Sequence, residues 1–161
     1  MRGGALPAAL LCAAVGLAIV FAPRRAWIPS IAILIFTAIV AGTVVLRVCG
    51  FEGVFFGCWM SVAAGAAAVH IPRGLGSRGA LVLSFNGGLW SSGVIAAAGS
   101  RPDLFEALPC VLVLLPAAWI VRSGAPIVVK VISSWLIAIA MLAATLALLP
   151  VTPGYMPDHL E

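Results

Sequence analysis

From Gly79 to Ser100 the chain reads GALVLSFNGGLWSSGVIAAAGS, with Arg78 before it, Arg101 after it and no charge between. A run of about 20 uncharged, mostly apolar residues is the length that carries an α-helix across the hydrocarbon of a bilayer. Working outward, charges bracket comparable gaps at 3–23, 26–46, 53–72 and 107–121, and a last one runs from Lys130 to Asp158. Trimmed by Pro, Gly and interfacial aromatics, these predict helices at about 5–22, 27–46, 54–69, 79–98, 107–121 and 127–149. The expected fold is therefore all-α, a polytopic transmembrane helical bundle of about six spans. It forms a single membrane domain over 1–161 with no extramembrane domain.

Composition points the same way. Of 161 residues, 63% are hydrophobic and 9% are charged, and the mean hydropathy is +1.21. A soluble domain uses about 25% charged residues to cover its core, so a soluble fold, a disordered chain and a free nucleic-acid binder are excluded despite the net charge of +4. The fifth segment is the weakest, because it carries Pro109 and Pro116. To span, it must recruit Leu104 and Phe105 and kink, or else turn back. The first segment has the outline of a cleavable leader. A cut after Ala22 would place Pro23 directly behind it and draw Arg24 and Arg25 across the membrane, so retention of this helix is expected.

Alternating the loops between two sides places six basic residues, Arg24, Arg25, Arg73, Arg78, Arg122 and Lys130, on one side. The other side receives three, Arg2, Arg47 and Arg101, which completes the nine Lys and Arg of the chain. Basic residues favour the cytoplasmic face. The expected location is a bacterial-type inner membrane with both termini outside, and all five acids fall on the outer side as well.

In lipid, helices associate by close approach through small side chains. Gly57, Ser61 and Gly65 repeat at i+4 on the third helix, continuing from Gly53. Ser84, Gly88 and Ser92 do so on the fourth, flanked by Ala80 and Ala96. These stripes predict an antiparallel hairpin with its two backbones in close contact. Asn86 lies off the fourth-helix stripe and shares its face with Trp90 and Gly93. An amide in hydrocarbon needs a partner, and depth supplies candidates: Asn86, Ser133 and Ser134 all lie about 10 Å from the inner boundary. Lys130, one turn nearer the cytoplasm, would complete a candidate polar cavity of Asn86, Trp90, Ser133, Ser134 and Lys130.

Catalytic chemistry is not expected. No carboxylate falls within a span, and His70 and His159 are placed at opposite faces. Cys12, Cys49, Cys58 and Cys110 show no metal-binding spacing, although Cys49 and Cys110 share the outer boundary and could be bonded there. No metal, cofactor or nucleic-acid partner is expected. The leading reading is a multi-pass inner-membrane protein without enzymatic activity, embedded as a subunit of a larger complex or a homo-oligomer within the lipid bilayer. The alternative is a small-solute channel or facilitator, also oligomeric, with its path along the polar cavity.

Overall fold

The computed structural model describes residues 5–148, and the stretch from Pro150 to Glu161, after the last expected helix, lies outside them. Seven α-helices occur among the described residues, with no strand: α1 (Ala5–Ile19), α2 (Trp27–Val40), α3 (Gly42–Ala68), α4 (Ser77–Ala98), α5 (Arg101–Ala107), α6 (Leu114–Arg122) and α7 (Pro126–Leu148). Four stretches are long and apolar enough to cross a membrane: Val44–Ala68, Ser77–Ala98, Pro102–Arg122 and Pro126–Leu146. The described residues thus form the all-helical fold of a membrane protein. α1, with 15 residues, and α2, with 14, are shorter.

α1 occupies the centre. Its sequence is apolar on every side, and a helix without a polar face is stable only when surrounded. Leu11, Cys12, Ala14, Val15, Ala18 and Ile19 are fully buried, and the helix is packed against α3, α4, α5, α6 and α7. At Gly16 a Cβ would stand 2.7 Å from the carbonyl oxygen of Val111, so the absence of a side chain there lets the fifth segment close onto the core.

Two departures from the expected helix boundaries have local causes. The second rod bends at Ala41 and continues helically to Cys49, beyond the expected end at 46. Its reversal is concentrated at Gly50, with φ 69° and ψ 177°, a region open essentially to glycine alone. The reversal follows from what surrounds Gly93: a Cβ built there would lie 3.0 Å from Val45 and 3.1 Å from Val54. Those two residues would be about 13 Å apart along an unbroken helix. The rod after Gly50 then runs antiparallel to α4, since Val54 meets Gly93 while Ser61 meets Asn86.

The fifth segment begins earlier than expected. Ser100 and Asp103 form a capping box, the Asp103 carboxylate accepting the Ser100 N–H at 2.7 Å, so the helix starts at Arg101 and takes in Leu104 and Phe105. Pro109 and Pro116 each remove a backbone donor. Around Pro109 the chain tightens into a 3₁₀ segment, Leu108–Val113, and it resumes as α6, which carries Pro116 in its first turn, making a broken rod rather than one helix. α7 follows the turn at Gly124 and packs along α3 and α6.

The ends of the bundle differ in charge. The loop after α1 is tied to the loop after α3 by the Leu75 N–H donating to the Phe21 carbonyl at 3.2 Å. The α6–α7 turn lies at the same end, because His70 at the exit of α3 reaches Ser134 of α7. Arg24, Arg25, Arg73, Arg78 and Arg122 are therefore gathered at one end, all exposed. The described acids, Glu52, Asp103 and Glu106, lie at the other. Around the sides the surface is apolar: Ile28, Phe36, Phe105, Trp119, Leu142 and Trp135 are each more than half exposed. A soluble monomer does not present such continuous apolar surface, and a bilayer accommodates it.

Candidate functional site

α4 carries the buried Ser84, Ser91 and Ser92 together with the half-buried Asn86 and Trp90, and divides them among three neighbours. Its Gly87 and Ser91 face α1: a Cβ on Gly87 would meet Val15 at 2.7 Å, and Ser91 Oγ lies 3.8 Å from Cys12 Sγ. Its Asn86, Trp90 and Gly93 face α3. Its Ser84, Gly88 and Ser92 face α2, where a Cβ on Gly88 would stand 2.5 Å from the Leu34 carbonyl oxygen and strike the Thr37 hydroxyl. The fourth-helix stripe therefore admits α2, and the two small-residue stripes do not meet each other. The reason is angular: Asn86 and Trp90 take the side of α4 that α3 covers, about 200° from Ser84.

The contact between α3 and α4 is built on reciprocal i, i+4 pairs. Asn86 Nδ2 donates to Ser61 Oγ at 2.9 Å, and Trp90 Nε1 donates to Asn86 Oδ1 at 3.0 Å. The Trp90 ring lies over Gly57, where any Cβ would enter it. Asn86, the amide that needed a partner, thus has two. Further along α3, Gly65 lies against Ala14 of α1, with 3.4 Å to a built Cβ.

Ser133 and Ser134 are not brought to Asn86, because α3 stands between α4 and α7. Ser133 Oγ donates to the Val129 carbonyl at 2.9 Å, and Ser134 Oγ donates to the Lys130 carbonyl at 3.0 Å. The ring of His70 lies 3.5 Å from Ser134 Oγ, so the α7 group belongs with the exit of α3. Lys130 is half-buried one turn below. Depth matching placed these residues at a common level and left their direction around the bundle open.

A second polar line, along α2 and α4, was not singled out as a site. The two helices are parallel and in register: Ala26 and Pro29 share a cavity with Ser77 and Leu81, Leu34 and Thr37 meet Gly88, and Ala38 shares a cavity with Ser92. The cavity at the arginine-rich end, about 330 Å³, is lined by Arg25, Ala26, Pro29, Ser77 and Leu81. The one at the opposite end, about 640 Å³, lies between Ala38–Val40, the last turns of α4 and the start of the fifth segment at Leu104 and Phe105. Between them Ser30 and Ser84 are fully buried, and their hydroxyls have no hydrogen-bond partner. Thr37 Oγ1 donates to the Ile33 carbonyl at 2.7 Å. Ser30 and Thr37 share one helix face by their i, i+7 spacing, but nothing in the sequence says which helix they face.

Cys12, Cys49, Cys58 and Cys110 are free thiols, so Cys49 and Cys110 are not bonded. Among the described residues no group of His, Cys, Asp or Glu is arranged to hold a metal ion, and His159 lies outside them. No known protein family, curated protein or solved structure matches the chain.

Proposed function

We propose that the protein is a six-span inner-membrane protein without enzymatic activity, with both termini outside, acting as the membrane-embedded subunit of a larger complex. In this reading the rods 5–22 and 27–49 cross the bilayer alongside the four longer stretches. The arginine-rich end faces the cytoplasm under the positive-inside bias. The observation that carries the subunit role is where the molecule puts its contacts. Polar side chains at the α3–α4 interface are spent on one another, and the broad apolar flank is left for neighbours in the membrane. Mild solubilisation followed by affinity purification of the full chain tests this. A stoichiometric membrane partner, or a stable homo-oligomer, is expected; a lone monomer across several mild detergents would reject the reading.

One observation favours a second reading, a small-solute facilitator: the two cavities lie at opposite ends of a single helix seam. Liposomes containing only the purified chain would then conduct a small solute. Silence across a broad panel of ions and neutral solutes would reject it.

A further inference from the structure

We propose that the α2–α4 seam is a binding site for a small monovalent anion, which enters at Arg25 and is held between the hydroxyls of Ser30 and Ser84. This rests on the facilitator reading for its role as a path, but not for the existence of the site. The hydroxyls are the first argument. Hydroxyls in apolar helices usually donate back to a carbonyl one turn earlier, as Thr37, Ser133 and Ser134 all do in this bundle. Ser30 and Ser84 do not, although each is fully buried, where an unmade hydrogen bond is costly. The register sets them side by side. Leu34 abuts Gly88, and Ser30 and Ser84 each lie one turn before those residues on parallel helices. They also stand one turn deeper than the cavity formed by Ala26, Pro29, Ser77 and Leu81.

Charge decides the ligand class. Arg25 lines that cavity, Arg24 and Arg78 adjoin it in sequence, and no described acid lies at that end of the bundle. A cation is repelled there and an anion is drawn in. A hydroxyl pair can then donate to the anion without a fixed charge in the span, the arrangement that lets an ion bind and still leave. Beyond the two serines the seam is closed by Gly88 against Leu34 and Thr37, and the larger cavity opens on the far side. Passage requires α2 to shift from α4. α2 has little other packing to lose, and its ends are a 3₁₀ turn at Arg24–Ala26 and the bend at Ala41.

The test uses the full chain, with nitrate as the probe and gluconate balancing ionic strength. Thermal unfolding in mild detergent reads the site, and nitrate flux into proteoliposomes reads the path. Nitrate should raise the Tm of the wild type, and in the double variant Ser30→Ala with Ser84→Ala the half-saturating concentration should rise about tenfold. Alanine favours a helix, so the variant should fold, and Ser84→Thr, which keeps the hydroxyl, should retain the response. Equal nitrate stabilisation of wild type and double variant would overturn the site, and flux persisting in that case would leave the facilitator reading standing. Stabilisation lost in the double variant without flux in the wild type would uphold the site and reject the path. No anion dependence of either readout, as expected if only water fills the seam, or equal stabilisation by glycerol, would overturn the proposal.

Discussion

At the scale of single residues, Asn86 and Ser84 make opposite predictions although both are polar, interior and on one helix. Asn86 is bonded to two partners, so Asn86→Leu leaves Ser61 Oγ and Trp90 Nε1 unpaired. Interhelical hydrogen bonds in membranes contribute about 0.6 kcal/mol on average and up to about 1.7; one such bond, to Ser61, is lost here together with the Trp90 bond within α4. Unfolding in mixed micelles titrated with a denaturing detergent should show a loss of about 1–3 kcal/mol. Ser84→Ala removes a hydroxyl that bonds to nothing in the fold. In the same assay without added anion it should be neutral or stabilising, and a loss comparable to Asn86→Leu would mean that Ser84 has a structural partner. Gly57 and Gly50 differ in a similar way. At Gly57 a Cβ meets the Trp90 ring, whereas at Gly50 it meets nothing and only φ is strained. Gly50→Ala should therefore cost about 1–3 kcal/mol from the backbone alone, and Trp90→Leu should not relieve it. Gly57→Ala should be relieved by Trp90→Leu, measured as coupling in a double-mutant cycle.

Among elements, α2 is the one whose attachment can be broken selectively. It lies along α4 with few contacts elsewhere, and Gly88 permits the approach. Gly88→Leu should separate α2 from the bundle and reduce the amount of folded protein extracted in mild detergent. α3 and α4 should stay together through Asn86, Ser61 and Trp90. Cysteine cross-linking reads this directly: a pair placed at 30 and 84 should lose its bridge in the Gly88→Leu background, while a pair at 54 and 93, where α3 meets α4 away from Asn86, keeps it. Loss of both bridges would show that the bundle fails as a whole and that α2 is not a separable element.

For the whole molecule, the separation of charge predicts topology. Reporter fusions at the two chain ends should light up in the same, outer compartment, and a reporter inserted beside Arg73 should be cytoplasmic. Replacing Arg24, Arg25, Arg73 and Arg78 with Asn should weaken or invert that preference, since the basic excess sets orientation. If helix 5–22 is retained, the mature protein's N-terminal sequence should lie upstream of α1, in keeping with that helix forming the centre of the core. A mature chain beginning at Pro23 would remove Leu11, Val15 and Ile19 from the core and would require a different packing.

How much was legible follows from which forces act locally. Helical rods, apolar flanks and an arginine-rich end follow from residue type and spacing alone, because hydrocarbon demands internally satisfied backbones and excludes charge wherever it occurs. The need of Asn86 for a partner was equally plain, and so was the trouble that Pro109 and Pro116 would cause. Partner choice was not. A helix presents several faces of similar smallness, and whether Gly88 receives α2 or α3 depends on azimuth and neighbour order. Only the assembled bundle fixes these, with α1 at its centre and α3 standing between α4 and α7. For the same reason Ser30 became meaningful only once the register of α2 on α4 set it level with Ser84, since a buried hydroxyl is unpaired by virtue of what surrounds it.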